Sequence, residues 1–307
     1  MRVATIDIGT NSVLLLVAEA SRGAPLSALR EEATITRLGE GVDRTRTLAP
    51  AAIARTTACL DAYADIVREM AVERVAVVGT SAMRDAGGGE AVREHVRRVL
   101  GVEARTIAGD EEAELTFRGA LSGIDAARRA DEVSVFDVGG GSTEIVRGRP
   151  KKGEILYAKS FDVGSVRLTE RHVKGDPPTA EERAAAIADA RGAFAGLPEM
   201  PRGLPVIGIA GTVTTLAAVS AGVDPYDAAR IHGMTIKAEE LREVVERLAA
   251  MTVAERRKVP GVHEKRADVI VAGGWVVLAA LEGLGGEELV VSDRGVRWGM
   301  AERLAEG

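Results

Sequence analysis

Two short stretches of this sequence place a carboxylate, a glycine-bearing turn and hydroxyls within a few residues of one another. The first is Asp7 followed by Gly9, Thr10, Asn11 and Ser12. The second is Asp137 followed by Gly139, Gly140, Gly141, Ser142 and Thr143. Phosphate binding needs backbone N–H groups converging on one point. Glycine removes the side chains that obstruct such an approach and permits the backbone angles it requires. The hydroxyls of Thr10, Ser12, Ser142 and Thr143 add hydrogen bonds to phosphate oxygens. A carboxylate ending the preceding strand stands beside that phosphate, where it can hold Mg²⁺ directly or through water. Asp and Gly also favour plain turns, so either stretch alone would suit an ordinary hairpin. Their recurrence in one strand register favours the shared chemistry.

The elements that position these turns are strands. Val3 to Asp7 and Ser12 to Ala20 read as a hairpin, and VSVFDVGGGSTEIVRG from Val133 repeats the pattern of VATIDIGTNSVLLLVA. Asp7 and Asp137 lie 130 residues apart, a spacing that implies duplicated domains rather than a solenoid. Between them, helices are expected at 50–71, 90–100 and 110–121, and strands at 75–78 and 104–107. Beyond the second hairpin, Thr179 and Glu182 form a capping-box pattern before a helix to Phe194. Pro205 to Ile209 is a strand entering a third glycine turn, whose Gly211 and Thr212 are further phosphate-binding candidates. Helices at 238–250 and 267–284, a strand at 288–291 and a closing helix follow. Strands alternating with crossover helices define an α/β fold, divided here at 1–124 and 125–307, with the last helix able to pack back on the first domain. No GxxxxGK[ST] occurs and no GxGxxG opens a helix, so neither a Walker A loop nor a dinucleotide fingerprint is present.

Composition narrows the function. A net charge of −6 argues against broad adhesion to nucleic acid or anionic lipid, and 3% aromatic content leaves little for stacking bases. A polyanionic substrate would need a local basic lane. Arg147, Arg149, Lys151, Lys152, Arg167, Arg171, His172, Lys174, Arg256, Arg257, Lys258, Lys265 and Arg266 are its candidates, although any one cluster alone reads first as a solvated face. Cys59 is the lone cysteine and sits in a helical apolar pattern as a small buried filler. One cysteine and four scattered histidines support no metal cluster. The opening residues show no leader pattern and no early run long enough to span a membrane, so a cytoplasmic location is expected.

The ordered set DIGTNS (7–12), GTSAMRDA (79–86), AGDEEAELTFRGA (108–120), VFDVGGGSTEIV (135–146), GIAGTVTTLAA (208–218), RADVIVAG (266–273) and SDRGVRWG (292–299) resembles the exopolyphosphatase / guanosine-pentaphosphate phosphohydrolase (Ppx/GppA) family. The resemblance covers nearly the whole chain. It implies two duplicated actin-like ATPase (ribonuclease H-like) domains with an interdomain cleft. It also implies hydrolysis of terminal phosphoanhydride bonds of inorganic polyphosphate, or of guanosine pentaphosphate to tetraphosphate.

The family's catalytic glutamate maps to Glu112. From the residues alone Glu112 is one of several acids suited to a helix N-terminus, and Glu111 is its confounder. The resemblance makes Arg84 a phosphate contact and places Asp137, Glu144 and Asp7 at a Mg²⁺ site, with Mn²⁺ as a substitute and a monovalent cation such as K⁺ as a further ligand. A cross-strand partner role for Glu144 stays open. Homodimer formation and a place in the stringent response are further implications.

Two departures stand out. Longer members carry an additional helical C-terminal region, so shorter substrates or less processive action are expected here. Trp298 also follows Arg297 where the family often has glutamate. The competing classes are a phosphotransferase on the same superfold and a non-enzymatic alarmone or polyphosphate sensor.

Overall fold

The computed structural model describes residues 1–21, 26–124, 127, 129–201 and 203–306. The chain forms two compact units, Met1–Gly119 joined by the residues from Val296 onward, and Ala120–Gly295. The passages thus fall at 119/120 and 295/296, beside a boundary expected from sequence at 124/125.

In the first unit, β1 (Arg2–Ile8), β2 (Ser12–Glu19) and β3 (Ser27–Ile35) form an antiparallel meander. β4 (Arg74–Gly79) and β5 (Ala104–Thr106) add in parallel beyond β1, giving the order β3-β2-β1-β4-β5. Its helices include α1 (Pro50–Glu69, with proline in its first turn), α2 (Ser81–Asp85), α3 (Gly89–Leu100) and α4 (Gly109–Ala120). Strand side chains alternate between faces. Ile6, Ile8, Leu15 and Val17 therefore pack against Leu60 and Tyr63 of α1 and Val92 and Val96 of α3. Val3, Leu16 and Ala18 pack the other way, against Trp298 and Ala301 of the closing helix Val296–Glu306. Both faces of the sheet are covered, which is why β1 reads as a largely apolar run broken by Thr5 and Asp7.

Trp298 is 1% exposed, and its Nε1 donates to Glu31 Oε2 at 3.3 Å, the oxygen that also accepts from Arg297 Nη2 at 2.6 Å. The residue that departs from the family pattern is thus a core anchor with its polar edge satisfied by β3. Gly299 allows the closing helix to approach α4, since a Cβ there would lie 2.1 Å from Leu115 O.

The second unit repeats the plan. β6 (Val133–Val138), β7 (Thr143–Arg149) and β8 (Glu154–Phe161) form the meander. They are followed by α5 (Ser165–His172), α6 (Ala180–Phe194), β9 (Val206–Ile209), α7 (Ala210–Ala221), β10 (Thr235–Lys237), α8 (Ala238–Ala249), α9 (Ile270–Gly283) and β11 (Glu288–Val291). The order is β10-β11-β9-β6-β7-β8, with β9 parallel to β6 and β11 parallel to β9. Apart from the added β10, this is the order of the first sheet. It is the duplicated ribonuclease H-like arrangement of actin-like ATPases. The capping box forms at the start of α6, with Thr179 accepting from the Glu182 amide.

The third strand of each meander is absent from the sequence reading. β3 and β8 are edge strands with most residues exposed or half-exposed, so neither carries the apolar alternation that marks a buried strand.

Candidate active site

In the first unit the β1–β2 register pairs Ile8 with Val13, and the turn closes when Gly9 N–H donates to Ser12 O at 3.0 Å. In the second, Val138 pairs with Thr143 and Gly139 N–H donates to Ser142 O at 3.0 Å. A Cβ on Gly9 or Gly139 would sit 3.0 or 3.1 Å from that same serine carbonyl, so both turns need the bare backbone.

Each turn is braced from behind by the loop that follows its third strand. In the first unit, Thr36 and Arg37 N–H donate to Asn11 O at 3.1 and 2.9 Å, and Gly39 N–H donates to Thr10 O at 2.9 Å. In the second, Ser165 N–H donates to Gly139 O at 3.0 Å, and Val166 and Arg167 N–H donate to Gly140 O at 2.9 and 3.1 Å. These last donors are the first amides of α5, which otherwise lack helical partners. Gly164 permits the approach, since a Cβ there would be 2.6 Å from the Gly140 carbonyl. Thr143 Oγ1 donates to Val163 O at 2.6 Å. With the turn carbonyls engaged, the peptide groups are held in fixed orientation. Among the described residues no backbone carbonyl accepts from the amides of Thr10, Asn11, Gly140 or Gly141. Donors arrayed in that way suit an anion. Gly39 and Gly164 are the positioning residues that sequence reading missed. The only signal was a glycine a few residues beyond strands that were themselves unread.

Asp7 and Asp137 end their strands in equivalent places, and both are half-buried. Asp137 directly faces Glu144 across β6–β7, and Glu144 faces Ser160 across β7–β8. Glu144 is 1% exposed and accepts from Ser160 Oγ at 2.7 Å. It is therefore a cross-strand partner of a serine, and its carboxylate shares a face with Asp137. These are hard oxygen donors, as Mg²⁺ prefers. Among the described residues no group of three or more His, Cys, Asp or Glu is placed to cage a metal.

In the first unit, Val78 of β4 is the register partner of Asp7 and packs in one cluster with Leu115 of α4. The helix carrying Glu112 therefore covers the sheet face on which Asp7 lies. Glu112 is 5% exposed, and Arg84 Nη1 donates to its Oε2 at 2.8 Å while also reaching Ile107 O at 3.3 Å. Glu111 points elsewhere. It accepts from Arg105 at 3.0 Å and Arg303 at 2.9 Å in half-exposed ion pairs. Tertiary structure thus separates two adjacent glutamates that sequence left together.

The third glycine stretch differs from the other two. Gly211 and Thr212 begin α7 directly after β9, and Ala210 there has φ 69°. Arg266 lies over Gly211, where a Cβ would meet its Nη1 at 1.6 Å, and burial pushes this guanidinium below its ordinary pKa. Thr212 is buried against Gly273, whose added Cβ would meet its Cγ2 at 2.7 Å.

Several of the basic residues are engaged by partners within the protein. Arg256 is buried and donates to the carbonyls of Leu248, Met251 and Ala267, so it belongs to the core around α8. Arg149 pairs with Glu132 and Glu154, Lys151 with Asp131, His172 with Asp189 and Arg167 with Asp162. Arg257, Lys258 and Lys265 are exposed. Among the described residues no helix is long and apolar enough to cross a membrane.

Two units of the same strand order, each presenting an aspartate and an amide-lined turn, define an α/β protein of the actin-like fold. A profile of the Ppx/GppA phosphatase family matches residues 16–306, and the chain belongs to that family. It is 41% identical to Exopolyphosphatase 2 of Mycobacterium tuberculosis, covering 99% of this chain and 98% of the relative. The crystal structure of the Aquifex aeolicus family member superposes with a TM-score of 0.82 at 34% identity, covering 100% of this chain and 99% of that one. A more distant relative is the guanosine-5'-triphosphate,3'-diphosphate pyrophosphatase of Photobacterium profundum. It is 27% identical over 98% of this chain and 59% of its own length.

Proposed function

We propose that this protein is an exopolyphosphatase that releases orthophosphate from the end of inorganic polyphosphate, with Mg²⁺ bound at Asp137 and Glu144. The observation that carries this reading is the pair of glycine turns whose carbonyls are braced from behind and whose amides are left for an anion. Family membership and the Mycobacterium tuberculosis relative support the substrate class.

In this reading the first unit carries the turn Gly9–Ser12, Asp7, Arg84 and Glu112, and the second carries the turn Gly139–Thr143 and the Asp137–Glu144 pair. Hydrolysis of a phosphoanhydride needs a water aimed in line with the leaving oxygen and a stabilised charge on the transferred group. Turn amides and Arg84 bind the equatorial oxygens and need no reorganisation as charge develops. Glu112 orients the water and accepts its proton. Burial of its carboxylate beside Arg84 limits the orientations it can adopt. Mg²⁺ at Asp137 and Glu144 supplies charge neutralisation when bound. Mn²⁺ substitutes in this reading. In this reading Gly211 seats Arg266 and Thr212 packs on Gly273, and neither is given a phosphate contact.

The test is orthophosphate release from short and long polyphosphate and from guanosine pentaphosphate, with Mg²⁺ or with EDTA, for wild type and Glu112→Gln. Metal-dependent release lost in the variant supports the assignment. Preference for guanosine pentaphosphate would move the protein to the alternative substrate, which the Photobacterium profundum relative favours by its name. Absence of release from all three overturns the reading in favour of a sensor or phosphotransferase.

A further inference from the structure

The chain passes out of the first unit at 119/120 and returns to it at 295/296. Ser122 and Gly123 lie just after the first passage, and Asp293 and Arg294 just before the second. Arg294 Nη1 donates to Ser122 Oγ at 3.1 Å, joining two segments 172 residues apart in sequence. Gly123 has φ +77°, and a Cβ on it would lie 2.9 Å from Arg294 Nη1 and 3.0 Å from His232 Nε2. The guanidinium and the imidazole thus sit directly over a bare, left-handed glycine.

The far side of this cluster is footed on the second sheet. His232 Nδ1 lies 2.9 Å from Asp293 Oδ1 and accepts from the Asp293 backbone N–H at 3.4 Å. Gly233 N–H donates to Val291 O at 2.8 Å, which fixes the histidine loop to the end of β11. Ser292 N–H donates to Gly208 O at 2.9 Å, and Arg294 N–H donates to Ser292 Oγ at 3.2 Å. These bonds hold the turn that carries Asp293 and Arg294 against β9. None of the residues belongs to the glycine turns or to the Glu112 and Asp137–Glu144 groups.

We infer that His232, Asp293 and Arg294 form a clasp that ties the two interunit passages to one another, so that they yield as a single joint rather than independently. The clasp works from the second unit alone. Arg294 grips the first passage through Ser122, and the His232–Asp293 contact holds the second passage in place. Gly123 is the seat, since any side chain there would push the guanidinium and the ring away.

The test is amide hydrogen exchange on the full chain without substrate, so that its outcome is separate from the assignment of activity. Ser122→Ala removes one hydroxyl near the first passage, and Arg294→Ala removes the guanidinium near the second. A clasp predicts reciprocal effects. Ser122→Ala should speed exchange at residues 292–296 on the order of tenfold, and Arg294→Ala should do so at 121–124, with α9 and β6 unchanged. The double variant should be no faster than Arg294→Ala alone. Exchange that rises only beside each substitution, or equally throughout the chain, overturns the proposal. Should Arg294→Ala fail to fold, Ser122→Ala and Arg294→Lys carry the same test.

Discussion

Asp7 on β1 faces Leu14 across the first hairpin, whereas Asp137 on β6 faces Glu144 across the second. The two hairpins share strand order, closing hydrogen bond and bracing from a loop beyond the third strand. They differ in what stands opposite the aspartate and in what the following helices bring. The second hairpin concentrates oxygen donors, with Ser160 extending the row onto β8. The first sets its aspartate beside an apolar residue, and α4 supplies Glu112 to the same face, held by Arg84. Duplicated backbones thus carry different side chains around their aspartates. In our reading the first copy handles the water and the second handles the metal.

The largest effect that would break this division is on Glu112. Glu112→Gln should lower orthophosphate release about 10²–10⁴-fold, the usual value of a positioned base. Glu111→Gln should leave turnover within about twofold, because its half-exposed ion pairs are worth little. Comparable losses in both would remove the distinction drawn from their burial.

Glu144→Gln should come next. It should raise the Mg²⁺ concentration for half-maximal turnover by about 10–100-fold, as read by metal titration at saturating substrate. Leu14→Glu, which writes the same pair into the first hairpin, should give no tighter metal requirement. If it did, the two hairpins would be interchangeable.

A smaller contrast lies in the bracing glycines. Gly164→Ala drives a Cβ to 2.6 Å from the Gly140 carbonyl, and backbone has no rotamer to give. A loss of about 1–3 kcal/mol by denaturant unfolding, with a raised KM, is expected. Gly39→Ala meets the Thr10 methyl at 2.3 Å, which can rotate, so the loss should be less. Equal losses would show that the first loop is as rigid as the second.

Cys59 offers the mildest probe. Burial pushes its thiol pKa up, so it stays protonated at pH 8 and should resist thiol reagents in the native state. Labelling as denaturant rises reports the first unit alone. Gly39→Ala should move that midpoint, and Gly164→Ala should move it less.

Much of this was legible in the residues themselves. The Asp–glycine-turn hairpins, their repetition, the α6 capping box and the proline opening α1 all depend on neighbours within a few positions. Local sterics and hydrogen bonding decide such features, and local sequence records them. Hydrophobic runs likewise marked the buried strands β1, β2 and β6, because strands covered on both faces must be apolar.

Tertiary structure decided the rest. β3 and β8 are edges whose pairing comes from partners rather than from their own pattern. The turns are braced because distant loops claim their carbonyls from behind, and those loops became visible with the edge strands they follow. Glu111 and Glu112 are chemically identical neighbours, and only helix orientation sends one to surface arginines and the other to Arg84 in the interior. Arg256, which looked like part of a basic surface, is buried because three carbonyls converge on it. Trp298 fits in place of the family's acid because Glu31, more than 260 residues away, meets its indole. Residue type and spacing fixed which chemistry was possible. Burial and partner geometry, which depend on contacts between remote segments, fixed which copy of each group is placed to perform it.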